Sequence, residues 1–356
     1  MRIVIDIGHP AHVHFFKNFI WEMTKRGHDL LITATDKDVT TDLLHNYGFN
    51  YVNMGSYGNS VAEKALNILP MDIKMYRAVK SFKPDILVGV SPIRAAHISV
   101  CLRKPCIAFD DSELSPYEHT LYMPFVRVIL TPSSFKKDFG KKQIRYNGYH
   151  EIAYLHPDYF QPDISVMNSL GLGCNDRFVI MRFVAWSAVH DARRHGFDLV
   201  TKRKLVEEIS KYARVFITSE KPLSEEFEKF RIPLSPEKIL DLLYYSTLLI
   251  GDTQTMTTEA GILGTPAIRC NTFVGSDDMG NFIELEHKYD LIYSFSQSDE
   301  AIQKAVELLN RHGIKKQWAD KREKLFKDKI NVTRFLVDFV EGFPKSLYRY
   351  MDSKGN

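Results

Sequence analysis

Short apolar runs alternate with helix-patterned stretches along most of the chain. In the first half RIVIDIG, DLLITAT, YVNMG, DILVGV, PCIAFD and RVILTP are bounded by Pro, Gly or Asp, and VHFFKNFIWEMTKRG and DVTTDLLHNYG lie between the first three. Strands this apolar, separated by helices, predict a parallel sheet covered on both faces. In the first helix Phe16, Phe19, Ile20 and Met23 share a face, and Gly27 ends it.

The pattern breaks near residues 157 to 176, where two prolines, two glycines and several turn formers predict a linker. Alternation resumes with FVIMRF, a helix from about 198 to 213, VFITS, a further helix, TLLIGD, PAIRC and LIYSF, and a largely helical tail covers 299 to 352. The expected organisation is α/β: an N-terminal Rossmann-like domain over 1–160, a second over 161–335, and a C-terminal helix over 336–356 packing back on the first. Ligands of two such doubly wound sheets are expected in an interdomain cleft, at the carboxyl ends of the strands.

A chain of 356 residues exceeds the roughly 250 to 300 at which single cores stop growing, which also favours two domains. The net charge of +3 is too small and dispersed for a nucleic-acid partner. One local basic run, Lys136, Lys137, Lys141, Lys142 and Arg145 beside Phe135 and Phe139, reads as a solvated helix end or as a peripheral contact with an anionic lipid surface. The cysteines Cys101, Cys106, Cys174 and Cys270 form no C-x-x-C pair and read as reduced thiols. MRIVIDIG lacks the features of a signal peptide and no run is long enough to span a bilayer, so a cytoplasmic location is expected.

Residues 251 to 270, GDTQTMTTEAGILGTPAIRC, concentrate the candidate chemistry. A strand delivers Asp252 to the sheet edge and the chain then turns into a helix. The first N–H groups of that helix and its positive dipole end suit a diphosphate. Thr253 and Thr255 offer hydroxyls, and Glu259, one turn in, offers a carboxylate to vicinal ribose hydroxyls. A capped structural helix accounts for the same hydroxyl-rich start, although the capping-box position before Glu259 is Met256. The segment is neither a Walker sequence nor G-x-G-x-x-G.

The span IPLSPEKILDLLYYSTLLIGDTQTMTTEAGILGTPAI resembles the donor-binding segment of GT-B fold enzymes, in element order that of the peptidoglycan N-acetylglucosaminyltransferase and of non-hydrolysing UDP-GlcNAc 2-epimerases. The resemblance implies phosphate contacts at Thr253, Gln254 and Thr255, ribose at Glu259, and base at Ile232 to Leu234, with Met256 also on the donor-binding side. Related segments often carry Ser-Gly or Gly-Gly in the turn, so Thr253, Gln254 and Thr255 are a departure. IGHPAHVHFFKNFIWEMTKRGHDLLIT, RFVAWSAVHD and YNGYHEIAYLHP also resemble a prokaryotic family, domain of unknown function 354, over nearly the whole chain.

In the first domain, Gly8, His9, His12 and His14 mark the loop after the first strand, the acceptor side of the GT-B resemblance. If a helix begins near Ala11, His12 and His14 project about 200° apart, which argues against a metal site. His12 is a candidate general base or a loop histidine bonding the backbone. Asp110, Asp111 and Glu113 after PCIAF are candidate bases, acceptor-orienting groups or cap residues. Asp36-Lys37-Asp38 reads as the start of a helix. In the second domain Arg182 closes FVIMR and can neutralise a leaving diphosphate, with Trp186 and His190 following.

The expected activity is inverting, metal-independent glycosyl transfer, without a cofactor, from a nucleotide sugar, with UDP the leading nucleotide, to a glycan or lipid-linked acceptor in surface polysaccharide or glycolipid synthesis. A sugar-nucleotide 2-epimerase and a non-catalytic binding protein of the same fold are the alternatives.

Overall fold

A computed structural model describes residues 1–58, 60–184, 196–219, 222–272, 274–275 and 278–352. The chain divides into two compact units, residues 1–159 with 330–356, and residues 160–329.

Unit 1 holds strands β1 (Arg2–Ile7), β2 (Asp29–Thr35), β3 (Tyr51–Gly55), β4 (Ile86–Val90), β5 (Cys106–Phe109), β6 (Val128–Pro132) and β7 (Gln143–Tyr146), with helices α1 (Pro10–Lys25), α2 (Thr40–Asn46), α3 (Val61–Val79), α4 (Ile93–Leu102), α5 (Pro116–Tyr122) and α6 (Ile152–Leu155). The sheet runs β3-β2-β1-β4-β5-β6-β7. Its pairings are parallel; Ile3, for example, faces Leu30 on β2 and Ile86 on β4. Ile3, Val4, Ile5 and Ile7 are all fully buried, as a strand covered on both faces requires.

Unit 2 holds β8 (Phe178–Phe183), β9 (Arg214–Ser219), β10 (Leu248–Gly251), β11 (Ala267–Cys270) and β12 (Ile292–Phe295), in the parallel order β12-β11-β10-β8-β9. Its helices are α7 (Ser165–Ser169), α8 (Leu199–Ile209), α9 (Glu225–Glu228), α10 (Ile239–Tyr245), α11 (Thr255–Leu263), α12 (Gly280–Ile283), α13 (Ser298–Asn310) and α14 (Ile314–Asp328). The tail then returns to unit 1 as α15 (Val332–Glu341) and α16 (Lys345–Asp352). There Thr333 Oγ1 donates to the Ala153 carbonyl at 2.5 Å, and Glu341 pairs with Arg26 at 2.8 Å and His28 at 2.9 Å.

The basic run expected as a helix end is instead a loop, one short turn and strand β7. Arg145 is spent on the Phe135 and Lys137 carbonyls and Lys142 on those of Met123 and Pro124, so both cations hold the loop. Among the described residues no helix is long and apolar enough to cross a membrane.

Candidate functional site

In each unit the parallel strands deliver their last residues to one edge, so the candidate residues group by unit. On unit 2 the edge gathers Arg182, Thr218, Asp252 and Asn271. Gly251 passes so close to β8 that a Cβ there would lie 2.3 Å from the Arg182 carbonyl oxygen. Asp252 is 1% exposed; its carboxylate accepts from the Val184 amide at 2.8 Å and its carbonyl from Asn271 Nδ2 at 3.2 Å. Asp252 therefore ties together the loops after β8, β10 and β11. Arg182 Nη1 donates to Thr218 Oγ1 at 2.9 Å, which lays the guanidinium along the ends of β8 and β9.

Helix α11 starts immediately beyond. Among the described residues Gln254 occupies the cap position without a side-chain cap hydrogen bond. The Thr257 amide turns back to the Gln254 carbonyl at 3.1 Å, and the Thr255 and Met256 amides, without a carbonyl four residues earlier in the helix, carry the positive end of its dipole. The threonines are divided in their tasks. Thr257 Oγ1 donates to the Thr253 carbonyl at 2.8 Å and Thr258 Oγ1 reaches toward that of Gln254 at 3.5 Å, so these hydroxyls serve the backbone. Thr253 and Met256 are buried, whereas Gln254 and Thr255 are partly exposed at the helix start. From Met256 to Leu263 the helix is buried all round, and Glu259, 4% exposed, is engaged by the protein itself. Gly264 ends the helix with φ +79, a left-handed conformation that favours glycine.

Ile232 and Leu234 are partly exposed beside β9. The Ile217 amide donates to the Phe230 carbonyl at 2.7 Å and the Ile232 amide returns to that of Ile217 at 3.0 Å, fixing this segment against the sheet edge next to Thr218. Trp186 and His190 lie outside the described residues.

On unit 1, Pro10 opens α1 and His9 caps it, Nδ1 accepting from the Ala11 amide at 3.2 Å. His12 Nδ1 accepts from the Gly8 amide at 3.2 Å, which places the proton of the neutral ring on Nε2. Burial lowers its pKa to about 3; Asp111 opposes this, while His150, Lys37 and Arg94 add to it. His12 is thus a neutral hydrogen-bond donor near pH 7. The sequence offered it as a general base, but the ring lone pair such a base needs is occupied by Gly8. His14 points elsewhere, 3.2 Å from the Tyr47 hydroxyl and beside the Tyr154 ring, with its pKa also lowered to about 3 by burial and then by Lys17. Among the described residues no three His, Cys, Asp or Glu side chains are grouped to hold a metal ion.

The three acids after β5 separate by task. Asp110 is fully buried and accepts from Ser91 Oγ at 3.2 Å, the Ser112 amide at 2.8 Å and the Tyr122 hydroxyl, with His119 Nε2 at 3.2 Å. It organises the loop. Glu113 accepts from the Lys136 amide at 2.7 Å and joins that loop to the segment after β6. Asp111 alone is appreciably exposed, its side chain 32%, and pairs with His150 Nδ1 at 3.1 Å. Burial pushes the Asp111 carboxyl up, but the charge and hydrogen bond of His150 lead the opposing effects and it stays below the usual carboxylate range.

Two features were missed in the sequence. His150 packs on Phe15 (ring centroids 4.3 Å) and lies parallel to Tyr146 at 6.4 Å, with no partner for Nε2 among the described residues. Its place follows from β7, four residues earlier, an edge strand that the sequence pattern does not show. Arg94, 2% exposed, pairs with Asp6 at 2.6 Å, and Thr33 Oγ1 donates to the same carboxylate at 2.9 Å. Asp6 was legible only as one polar position in an apolar strand.

Comparison with known proteins agrees with this architecture: the family profile described as "Protein of unknown function (DUF354)" matches residues 1–339. The chain belongs to the DUF354 family. The DUF354 chain is 26% identical over 282 residues to the uncharacterized protein MJ0665 of Methanocaldococcus jannaschii, covering 76% of this chain and 82% of that one. Solved structures share its fold, among them three that illustrate the range. One is S. aureus MnaA in a co-structure with UDP (10% identity, 97% of each chain, TM-score 0.69). Another is UDP-GlcNAc 2-epimerase from Neisseria meningitidis bound to UDP-GlcNAc (13% identity, 96% of this chain and 100% of that one, TM-score 0.66). The third is the spinosyn rhamnosyltransferase SpnG complexed with spinosyn aglycone (12% identity, 96% and 100%, TM-score 0.63). At these identities the likeness establishes the fold: the DUF354 chain is an α/β protein of GT-B architecture, two Rossmann-like domains in one chain.

Proposed function

We propose that this DUF354 chain transfers a sugar from a nucleotide-diphosphate sugar to an acceptor hydroxyl, with inversion and without a metal ion. The observation that carries the reading is the uncapped start of α11 at the carboxyl edge of unit 2, next to Arg182. In this scheme the Thr255 and Met256 amides, with the Gln254 and Thr255 side chains, take the diphosphate and Arg182 offsets its charge. Glu259 accepts from the ribose and the Ile232 to Leu234 backbone borders the base. Asp111, exposed and ionised, takes the acceptor proton, and His12 orients the acceptor through Nε2–H. The acceptor oxygen bonds to the anomeric carbon as the bond to phosphate breaks, and the electron pair leaves on the diphosphate. Support comes also from related folds that are described as bound to UDP, UDP-GlcNAc and thymidine diphosphate.

The second reading, epimerisation of the sugar nucleotide, is favoured by the 2-epimerases among the similar folds. Proton NMR of UDP-GlcNAc incubated with the enzyme alone separates the two. A transferase leaves the sugar unchanged until acceptor is added, and accumulation of the manno isomer without acceptor contradicts transfer.

A further inference from the structure

Helix α3 exposes an apolar ridge that no described residue covers. Ala62, Leu66, Leu69, Ile73 and Tyr76 follow one another at intervals of 4, 3, 4 and 3 residues, which puts them on one face. Leu66 is 77% exposed, Leu69 67%, Ile73 44% and Tyr76 38%. The opposite face, Met71, Met75 and Val79, is buried in the core of unit 1. A soluble surface helix needs only one apolar stripe; α3 has a second, directed outward.

The ridge continues onto neighbouring elements. His97 of α4 contacts Asp72 of α3 at 2.7 Å and sets its ring against exposed Phe125 at 5.0 Å, and Val100 on α4 is 54% exposed. Around it cations outnumber acids. Lys74, Arg77 and Lys80 are exposed on α3, and Lys83, Arg103, Lys104 and Arg127 are exposed where α3, α4 and α5 lead back to the next strands. The acids of α3 are otherwise occupied: Glu63 closes a capping box with Ser60, and Asp72 is held by His97.

We propose that this face docks on an anionic lipid bilayer, with Leu66, Leu69, Ile73 and Tyr76 at the headgroup boundary and the lysines and arginines on the headgroups. A second copy of the chain would bring two cationic rims together with few acids left to answer them, whereas an anionic headgroup layer accommodates ridge and rim at once. Helix α3 runs from the carboxyl edge of the sheet back to its amino edge, so the ridge spans the height of unit 1 and the returns at Lys83, Arg103 and Arg127 lie at its far end from His12 and Asp111. The inference is independent of the reaction catalysed.

The test is flotation of the purified full-length protein with vesicles of phosphatidylcholine alone or mixed with phosphatidylglycerol. The parent floats with the anionic vesicles and not with the neutral ones. Leu66→Ser with Leu69→Ser lowers partitioning by about ten-fold or more, with an unchanged thermal melt because both side chains are exposed. As a second reading, Tyr76→Trp gains fluorescence quenching by brominated anionic lipid over the parent. Failure of the parent to float, double-serine flotation equal to the parent, or absence of added quenching overturns the proposal. A parent dimer that the two serines dissociate, with no vesicle binding, assigns the ridge to a second copy instead.

Discussion

His12 offers the most quantitative test of unit 1. The unfolded ring has an ordinary pKa of 6.5, and burial lowers that of the folded ring to about 3. Above 6.5 both states are neutral and the group has no effect on stability. As pH falls below 6.5 the unfolded ring takes a proton that the folded ring refuses, so stability drops until about pH 3. Integrating between pH 7 and pH 5 gives a loss of about 2 kcal/mol from this one histidine. The perturbation is His12→Gln, which removes the titration; losing the acceptor for Gly8 costs the same at either pH and cancels. Urea unfolding of parent and variant at pH 7 and pH 5 then isolates the effect. The parent should lose about 2 kcal/mol more than the variant over that interval. NMR of the ring should show no titration of His12 between pH 5 and 8. Equal pH dependence in the two proteins, or a His12 titration near pH 6.5, refutes the assignment and returns His12 to the list of bases.

Other consequences can be checked singly. Asp111→Asn should abolish sugar transfer while calorimetry with UDP is unchanged, since UDP is assigned to unit 2; a parallel loss of UDP affinity would count against the division of labour. Arg269→Met leaves the Asp278 carboxylate, with which Arg269 makes a buried pair, without its guanidinium, and should cost about 3 to 5 kcal/mol in urea unfolding. A cost below about 1 kcal/mol would show that pair to be dispensable. Gly251→Ala drives a methyl toward the Arg182 carbonyl and should destabilise by about 1 to 3 kcal/mol or more, read as a lower melting temperature; an unchanged melt contradicts that close approach.

The strands that the sequence shows most clearly are those with unbroken apolar runs, such as β4, β5 and β10, because burial on both faces leaves no polar alternation to confuse them. Strand β7 was not legible: QIRY alternates polar and apolar at the sheet edge, and it lies in a run of lysines that reads as helix. The start of α11 was visible in its threonines, but not which of them face outward, since back-bonding to carbonyls four residues earlier depends on helix geometry. Likewise Asp110 and Asp111 look equivalent as letters. Only the placement of Ser91, Tyr122 and His119 around one, and of His150 beside the other, separates a loop organiser from an exposed acid.

The central claim is that a nucleoside diphosphate rests on the first turn of α11. The direct measurement is the amide spectrum of protein labelled with nitrogen-15 at threonine and methionine, with Thr255 and Met256 assigned by substitution, titrated with UDP and with uridine. The account predicts that both amides shift with UDP and far less with uridine. Shifts confined to residues of unit 1, or none with any of the common nucleoside diphosphates, would contradict it.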